Sequence, residues 1–291
     1  MSKIRRSMLF IPGNTPGMLQ SADVFDADSI IIDLEDSVSV DEKDSARILL
    51  EQLLSKVQFT DVEVIVRMNP FESTDYEKDI EVLQSLDIDL ILLPKAEQDS
   101  VSDLTKRLES FKYKTDVMIL VETALGVEQV FDLLNTSVKV KGLMLGGEDL
   151  CVDLNCERTK TGEELLYART RVVNAARALK KFVIDTPFTD TNDDIGLTND
   201  TRFAKKIGFD GKASINPRQI ETINKVFTPK EDEINDAKRV IEAKDQALKE
   251  GKGVFSLDGK MVDLPIIKRA ERIMAVASKT GLLKEGEHNE N

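Results

Sequence analysis

Eight times along this chain a short apolar run ends on polar or charged residues, at 8–13, 29–36, 63–70, 90–95, 116–123, 142–150, 181–187 and 211–217. Apolar runs of this length read as strands buried on both faces. Stretches of helical periodicity separate them, and unbroken strand–helix alternation builds a parallel sheet covered by helices. Reaching eight repeats predicts a closed (β/α)8 TIM barrel, an α/β fold. An open doubly wound sheet is the runner-up. It is weakened by the lack of G-x-G-x-x-G after the first strand and of G-x-x-x-x-G-K-[ST] anywhere.

A barrel of typically ~250 residues does not use up a chain of 291 residues. The reading divides it into a barrel over 1–227, carrying the site, and a C-terminal helical arm or lid over 228–291 that contacts other subunits. Pro16 opens the first helix. Thr74 with Glu77, Thr161 with Glu164, and Thr228 with Glu231 read as capping boxes. A charged helix is expected to stop before Gly251. A glycine-rich loop or hairpin follows over 251–263, and a last amphipathic helix runs from Pro265 to Gly281.

Composition excludes much of the usual chemistry. The only histidine, His288, sits in a polar tail and receives no role, which removes Ser-His-Asp and Cys-His nucleophiles and histidine zinc sites. Cys151 and Cys156 give no disulfide framework, and a zinc site would need two further soft ligands. A formal charge of −13 argues against broad binding to nucleic acid or anionic membranes. No apolar run is long enough to span a bilayer and 1–6 lacks a signal peptide's apolar segment, so a cytoplasmic protein is expected.

What remains is carboxylates, Arg and Lys, and they collect at the strand ends, the rim where barrels place active sites. Reading off those ends gives Glu35, Asp36, Arg67, Asn69, Lys95, Glu122, Glu148, Asp149, Asp185 and Asn216. Glu122 and Asp149, from neighbouring strands, suit Mg2+, which takes oxygen ligands and completes its shell with water and substrate. Such an ion would chelate a hydroxy- or keto-carboxylate while Arg67 grips a carboxylate or steadies an enolate. Alternatives stand beside this: Glu148 and Asp149 capping a helix, Glu122 in a structural ion pair, and Lys95 as a Schiff-base amine.

Several stretches together are familiar: 5–13, Asp33 to Val38, Val66 to Asn69, Leu93-Pro94-Lys95, Glu122-Thr123, Gly146-Gly147-Glu148-Asp149, Gly208 to Lys212 and Gly259 to Asp263. In order and over nearly the whole chain they resemble the citrate lyase beta and acyl-CoA lyase family. Glu157-Arg158-Thr159 with Gly162, and Asn216-Pro217 where many CoA-linked members carry His-Pro, resemble the citrate lyase branch.

The resemblance implies a Mg2+-dependent lyase that cleaves a citryl thioester on an acyl carrier protein to oxaloacetate and an acetyl thioester. By position, Glu122 and Asp149 match the metal ligands, and Glu35 and Asp36 the acids that hold water around the ion. Arg67 matches the substrate-binding arginine, with Pro12, Gly13, Lys95, Gly146 and Gly147 lining the substrate. Asp263 resembles the acid that related malyl-CoA lyases bring in from a neighbouring subunit, and is the candidate for proton transfer. Implied partners are the carrier (gamma) and transferase (alpha) subunits and further copies of the chain, as in a homotrimer. A basic patch of Arg202, Lys205, Lys206, Lys212 and Arg218 is a candidate carrier-docking face. Other readings are a stand-alone malyl-CoA or citramalyl-CoA lyase, a malate-synthase-like enzyme, or a non-catalytic assembly subunit.

Overall fold

The computed structural model describes residues 3–249 and 255–283. Gly251 and His288, named above, lie outside them. The chain divides into two compact units, Arg5–Phe227 and Thr228–Asn291 together with Met1–Ile4.

The larger unit alternates strand and helix from its start. Its first half contains β1 (Ser7–Pro12), α1 (Pro16–Gln20), β2 (Ser29–Asp33), α2 (Lys43–Lys56), β3 (Glu63–Arg67), α3 (Tyr76–Leu83), β4 (Leu90–Leu93) and α4 (Gln98–Arg107). The second half contains β5 (Asp116–Val121), α5 (Ala124–Asn135), β6 (Val140–Leu145), α6 (Gly147–Asp153), α7 (Leu166–Ala178), β7 (Phe182–Asp185), α8 (Asp194–Ile207), β8 (Gly211–Ser214) and α9 (Ile220–Phe227). The strands form a closed parallel barrel in chain order, sealed where Ser7, Met8 and Leu9 pair with Lys212, Ala213 and Ser214. This is the (β/α)8 barrel expected from the sequence.

Two separate apolar cores follow from the two faces of each strand. Met8, Ile31, Ile65, Leu90, Leu92, Met118, Leu120, Met144, Ile184 and Ala213 fill the barrel interior. Their neighbours one residue along, such as Leu9, Ile30, Ile32, Ile91 and Leu143, pack outward under the helices. Because successive strand side chains point to opposite faces, this parity decides which residues beyond the interior layer face the rim opening. The interior series continues to Pro12, Asp33, Arg67, Glu122, Gly146, Thr186 and Ile215. Asp185, Asn216 and Lys95 have the other parity.

The helix starts need correction. Helix α3 has Asp75 at its cap position with no side-chain capping bond, so Thr74 and Glu77 form no capping box there. Glu164 lies in a short 3-10 turn before α7, where its carboxylate accepts from the Thr159 amide, the Thr159 hydroxyl and Arg158. These contacts hold Glu164 to the segment before the helix, and Thr161 is not the cap.

In the smaller unit, α10 (Glu231–Lys249) packs on α11 (Leu264–Lys279). Between them β9 (Phe255–Leu257) and β10 (Lys260–Val262) pair antiparallel through Asp258 and Gly259, both at positive φ. That backbone is the two-residue hairpin turn for which Asp-Gly is favoured. Among the described residues no helix is long and apolar enough to cross a membrane.

Candidate active site

At the strand C-terminal ends of the barrel lies a cavity of about 450 Å³, lined among others by Phe10, Pro12, Asp33, Asp36, Arg67, Glu122, Gly146, Asp149 and Thr186. Most of these are the residues that parity turns inward.

Arg67 is the fixed point of this cavity. Its Nε and Nη2 donate to Asp33 Oδ1 and Oδ2, both at 2.7 Å, a bidentate pair buried between adjacent strands. The pairing of Asp33 with Arg67 along β2 and β3 sets this register. Nη1 faces Glu35 at 2.9 Å and Asp36 at 3.3 Å, and the guanidinium lies 5.0 Å from the Phe10 ring centroid. Hydrogen bonding and charge from Asp33 outweigh burial and hold Arg67 firmly protonated. Asp33 in return sits below the usual carboxylate range, because Arg67 and Ser37 overcome its desolvation. The sequence reading assigned Asp33 no role. The β2 sequence Ser-Ile-Ile-Ile-Asp shows no alternation that would mark Asp33 as inward-facing.

Glu122 follows β5 and is 3% exposed. The Lys95 amide donates to its Oε1 at 2.7 Å, and Lys95 takes a positive φ of 46° to present that N–H. Burial, then the charge of Glu35, then that of Asp149, push Glu122 up to about 8 against the Lys95 bond and Arg67. Glu35 is pushed up to about 7, mainly by burial, with Arg67 opposing. Asp149 lies in the first turn of α6, so the helix-start placement and the rim placement are both realised.

The two glycines that follow β6 supply space. A Cβ on Gly146 would stand 2.6 Å from Glu122 Cβ and 2.8 Å from its Oε2; on Gly147 it would meet Thr186 Oγ1 at 2.8 Å. The two amides are already engaged, Gly146 to Val121 O and Gly147 to Thr186 Oγ1, both at 2.9 Å.

Other sequence candidates lie elsewhere. Gly13 donates to Asp33 O at 2.8 Å and is not among the cavity-lining residues. The Lys95 side chain is exposed, which removes the desolvation a Schiff-base amine needs. Asn69 is buried against Asp79 and Leu34 O. Asp185 points outward into a buried quartet in which Arg169 and Lys212 each bridge Asp185 and Asp200, a structural role. Lys212 is therefore fully buried and is no part of a docking face. Of the proposed basic patch, Arg202, Lys206 and Arg218 are exposed and Lys205 is bonded to Val226 O. Asp263 caps α11 in the smaller unit, accepting from the Ile266 amide.

The donor set fits a hard divalent cation. Among the described residues no donor reaches Glu122 Oε2 or the Asp149 carboxylate, and the buried Glu35 Oε2 has no hydrogen bond despite facing Arg67. No three His, Cys, Asp or Glu side chains among the described residues gather to cage an ion unaided. Two carboxylates completed by water and substrate are what Mg2+ uses.

Residues 6–217 match the family model described as HpcH/HpaI aldolase/citrate lyase. The chain belongs to that family. Among relatives, the citrate lyase subunit beta of Leuconostoc mesenteroides subsp. cremoris is 41% identical, covering 99% of this chain and 98% of its own. The mitochondrial citramalyl-CoA lyase of Rattus norvegicus is 30% identical over 94% of this chain and 86% of its own. Among solved structures, the CitE protein of Mycobacterium tuberculosis with magnesium, acetoacetate and coenzyme A has a TM-score of 0.80 at 30% identity, covering 94% of this chain and 98% of that one. The citrate lyase beta subunit of the same organism with oxaloacetate and magnesium has a TM-score of 0.69 at 30% identity, covering 78% and 98%. This aldolase/citrate lyase chain is thus a carbon–carbon lyase by family.

Proposed function

We propose that the chain is the beta subunit of citrate lyase and cleaves a citryl thioester, carried on an acyl carrier protein, to oxaloacetate and an acetyl thioester. The observation that carries this reading is that Glu122 Oε2 and the Asp149 carboxylate, which accept no hydrogen bond among the described residues, line one cavity with the Asp33-locked Arg67. The magnesium named with the Mycobacterium tuberculosis structures supports Mg2+ as the ion.

Glu122 and Asp149 would hold the ion, with Glu35 and Asp36 accepting from water around it. Bound there, Mg2+ supplies a Lewis acid that polarises the hydroxyl and carboxylate oxygens of a hydroxy acid. Arg67, permanently charged and unable to rotate away from Asp33, offers positive potential where negative charge develops on the thioester fragment as the C–C bond breaks. Phe10, Pro12, Leu120 and Met144 form an apolar wall that strengthens that interaction. Asp263 is assigned proton transfer at the acetyl carbon. Asn caps helices as well as Asp, so Asp263→Asn keeps α11 and removes only the carboxylate. Full activity in that variant would withdraw the assignment.

The beta-subunit relatives imply companion subunits. We assign these as the acyl carrier and transferase subunits, with the chain itself oligomeric and cytoplasmic, and Arg202, Lys206 and Arg218 as the carrier-docking side chains. The test is cleavage of citryl, malyl and citramalyl thioesters with Mg2+ or with chelator, with oxaloacetate formation coupled to a reporter. Metal-dependent oxaloacetate from the citryl thioester is expected; cleavage of only the malyl or citramalyl thioester would overturn the reading.

A further inference from the structure

Helix α6 begins with the Asp149 turn and ends on an unusual side-chain pair. Asn155 stands at φ 53°, the left-handed conformation that stops a helix. Its amide donates to Val152 O at 3.0 Å, and the Cys156 amide donates to Cys151 O at 3.0 Å. These two bonds define a Schellman motif with Cys151 three residues before the cap and Cys156 two beyond it. That motif brings the side chains at those two positions against each other, normally as an apolar contact. Here both are cysteines, so the positions that the motif brings together carry two thiols.

We propose that Cys151 and Cys156 form a reversible intramolecular disulfide, a redox modification site on the helix that carries Asp149. An amide-to-carbonyl bond of 3.0 Å between the two residues holds their Cα atoms on the order of 5–6 Å apart, inside the range disulfides take. The two thiols differ in access: Cys156 is exposed and Cys151 is buried beneath it. The exposed thiol meets the oxidant and the buried one resolves.

With a small disulfide such as oxidised glutathione, the Cys156 thiolate attacks one sulfur and releases the first glutathione thiolate. Cys151 then gives up its proton to water, attacks the Cys156 sulfur and expels the second. Two protein thiols are oxidised and one small disulfide becomes two thiols, so electrons and protons balance. A soft-metal site is the lesser reading, because among the described residues no third His, Cys, Asp or Glu joins the pair. The proposal stands independently of the metal and substrate assignments.

The test uses the full chain, folded and reduced, treated with oxidised glutathione. Expected is loss of both titratable thiols, a peptide spanning both cysteines lighter by two hydrogens, and full recovery with dithiothreitol. Cys151→Ser should instead accumulate a stable glutathione adduct on Cys156, and Cys156→Ser should remain unreacted while folded. The proposal is overturned if the wild-type chain stops at the same adduct as Cys151→Ser, if it links between chains, or if it keeps both thiols.

Discussion

Replacing Glu122 by Gln separates what this side chain costs the fold from what it does for the site. The carboxyl is 3% exposed, and its pKa is pushed from 4.5 to about 8. A raised folded value means the folded chain keeps a proton that the unfolded chain has lost between those pH values. Stability therefore falls as pH rises through that window. At roughly 1.4 kcal/mol per pH unit, the penalty approaches about 5 kcal/mol above pH 8. Glu35, itself near 7 and a contributor to the rise on Glu122, concentrates the loss at the upper end of the window. Gln is nearly isosteric, does not titrate, and its carbonyl can still accept the Lys95 amide. In chelator, Glu122→Gln and wild type should melt together near pH 5. By pH 8 the variant should melt higher by on the order of 10 °C, given about 2–4 °C per kcal/mol for a domain of this size. Added Mg2+ should raise the wild-type midpoint and leave the variant unmoved. Thermal melts from pH 5 to 9 check this; parallel curves for the two proteins would refute the reasoning.

Three further outcomes follow from contacts in the barrel. Arg67→Lys removes the fork that locks onto Asp33 and should lower kcat/KM by roughly 100-fold with little change in Mg2+ binding; turnover at the wild-type level would remove Arg67 from the chemistry. Gly146→Ala places a methyl 2.6 Å from Glu122 Cβ and should weaken Mg2+ binding by about 10- to 100-fold, as measured by calorimetry, through displacement of that ligand. Lys212→Met leaves Asp185 and Asp200 short of one of their two cations and should destabilise the barrel by about 3–5 kcal/mol in urea melts, since breaking a buried pair strands its partner.

The barrel was legible because eight apolar runs each ended on polar or charged residues, and the rim placement of Glu122 and Asp149 because they follow neighbouring strands. Parity was harder to read. In β7 both Val183 and Ile184 are apolar and fully buried, one under the helices and one inside the barrel. Without alternation, nothing in the sequence shows whether Asp185 faces the rim or the helices. The same ambiguity hid Lys212, whose carboxylate partners Asp185 and Asp200 are brought to it only by the fold. Asp33 was hidden differently: it precedes Glu35 and Asp36, and three nearby acids look equivalent until the β2–β3 register puts one of them opposite Arg67. The helix starts at Thr74 and Thr161 failed because side chains that match a capping pattern found other partners, as Glu164 did with Arg158 and Thr159.

Charge arithmetic around the cavity ties these pieces to a sequence of events. Asp33 neutralises Arg67 through a two-point contact, so the one cationic side chain lining the cavity among the described residues enters the balance already paired. Glu35, Asp36, Glu122 and Asp149 remain, and Glu35 and Glu122 are pushed up first by burial and then by the charge of their neighbouring carboxylates. An anionic hydroxy acid entering such a site would meet net repulsion in surroundings of low dielectric. A divalent cation held by Glu122 and Asp149 would offset that charge, and the Arg67 edge would remain as attractive potential. Metal before substrate is therefore the binding order that the excess of carboxylates over cations at the rim predicts.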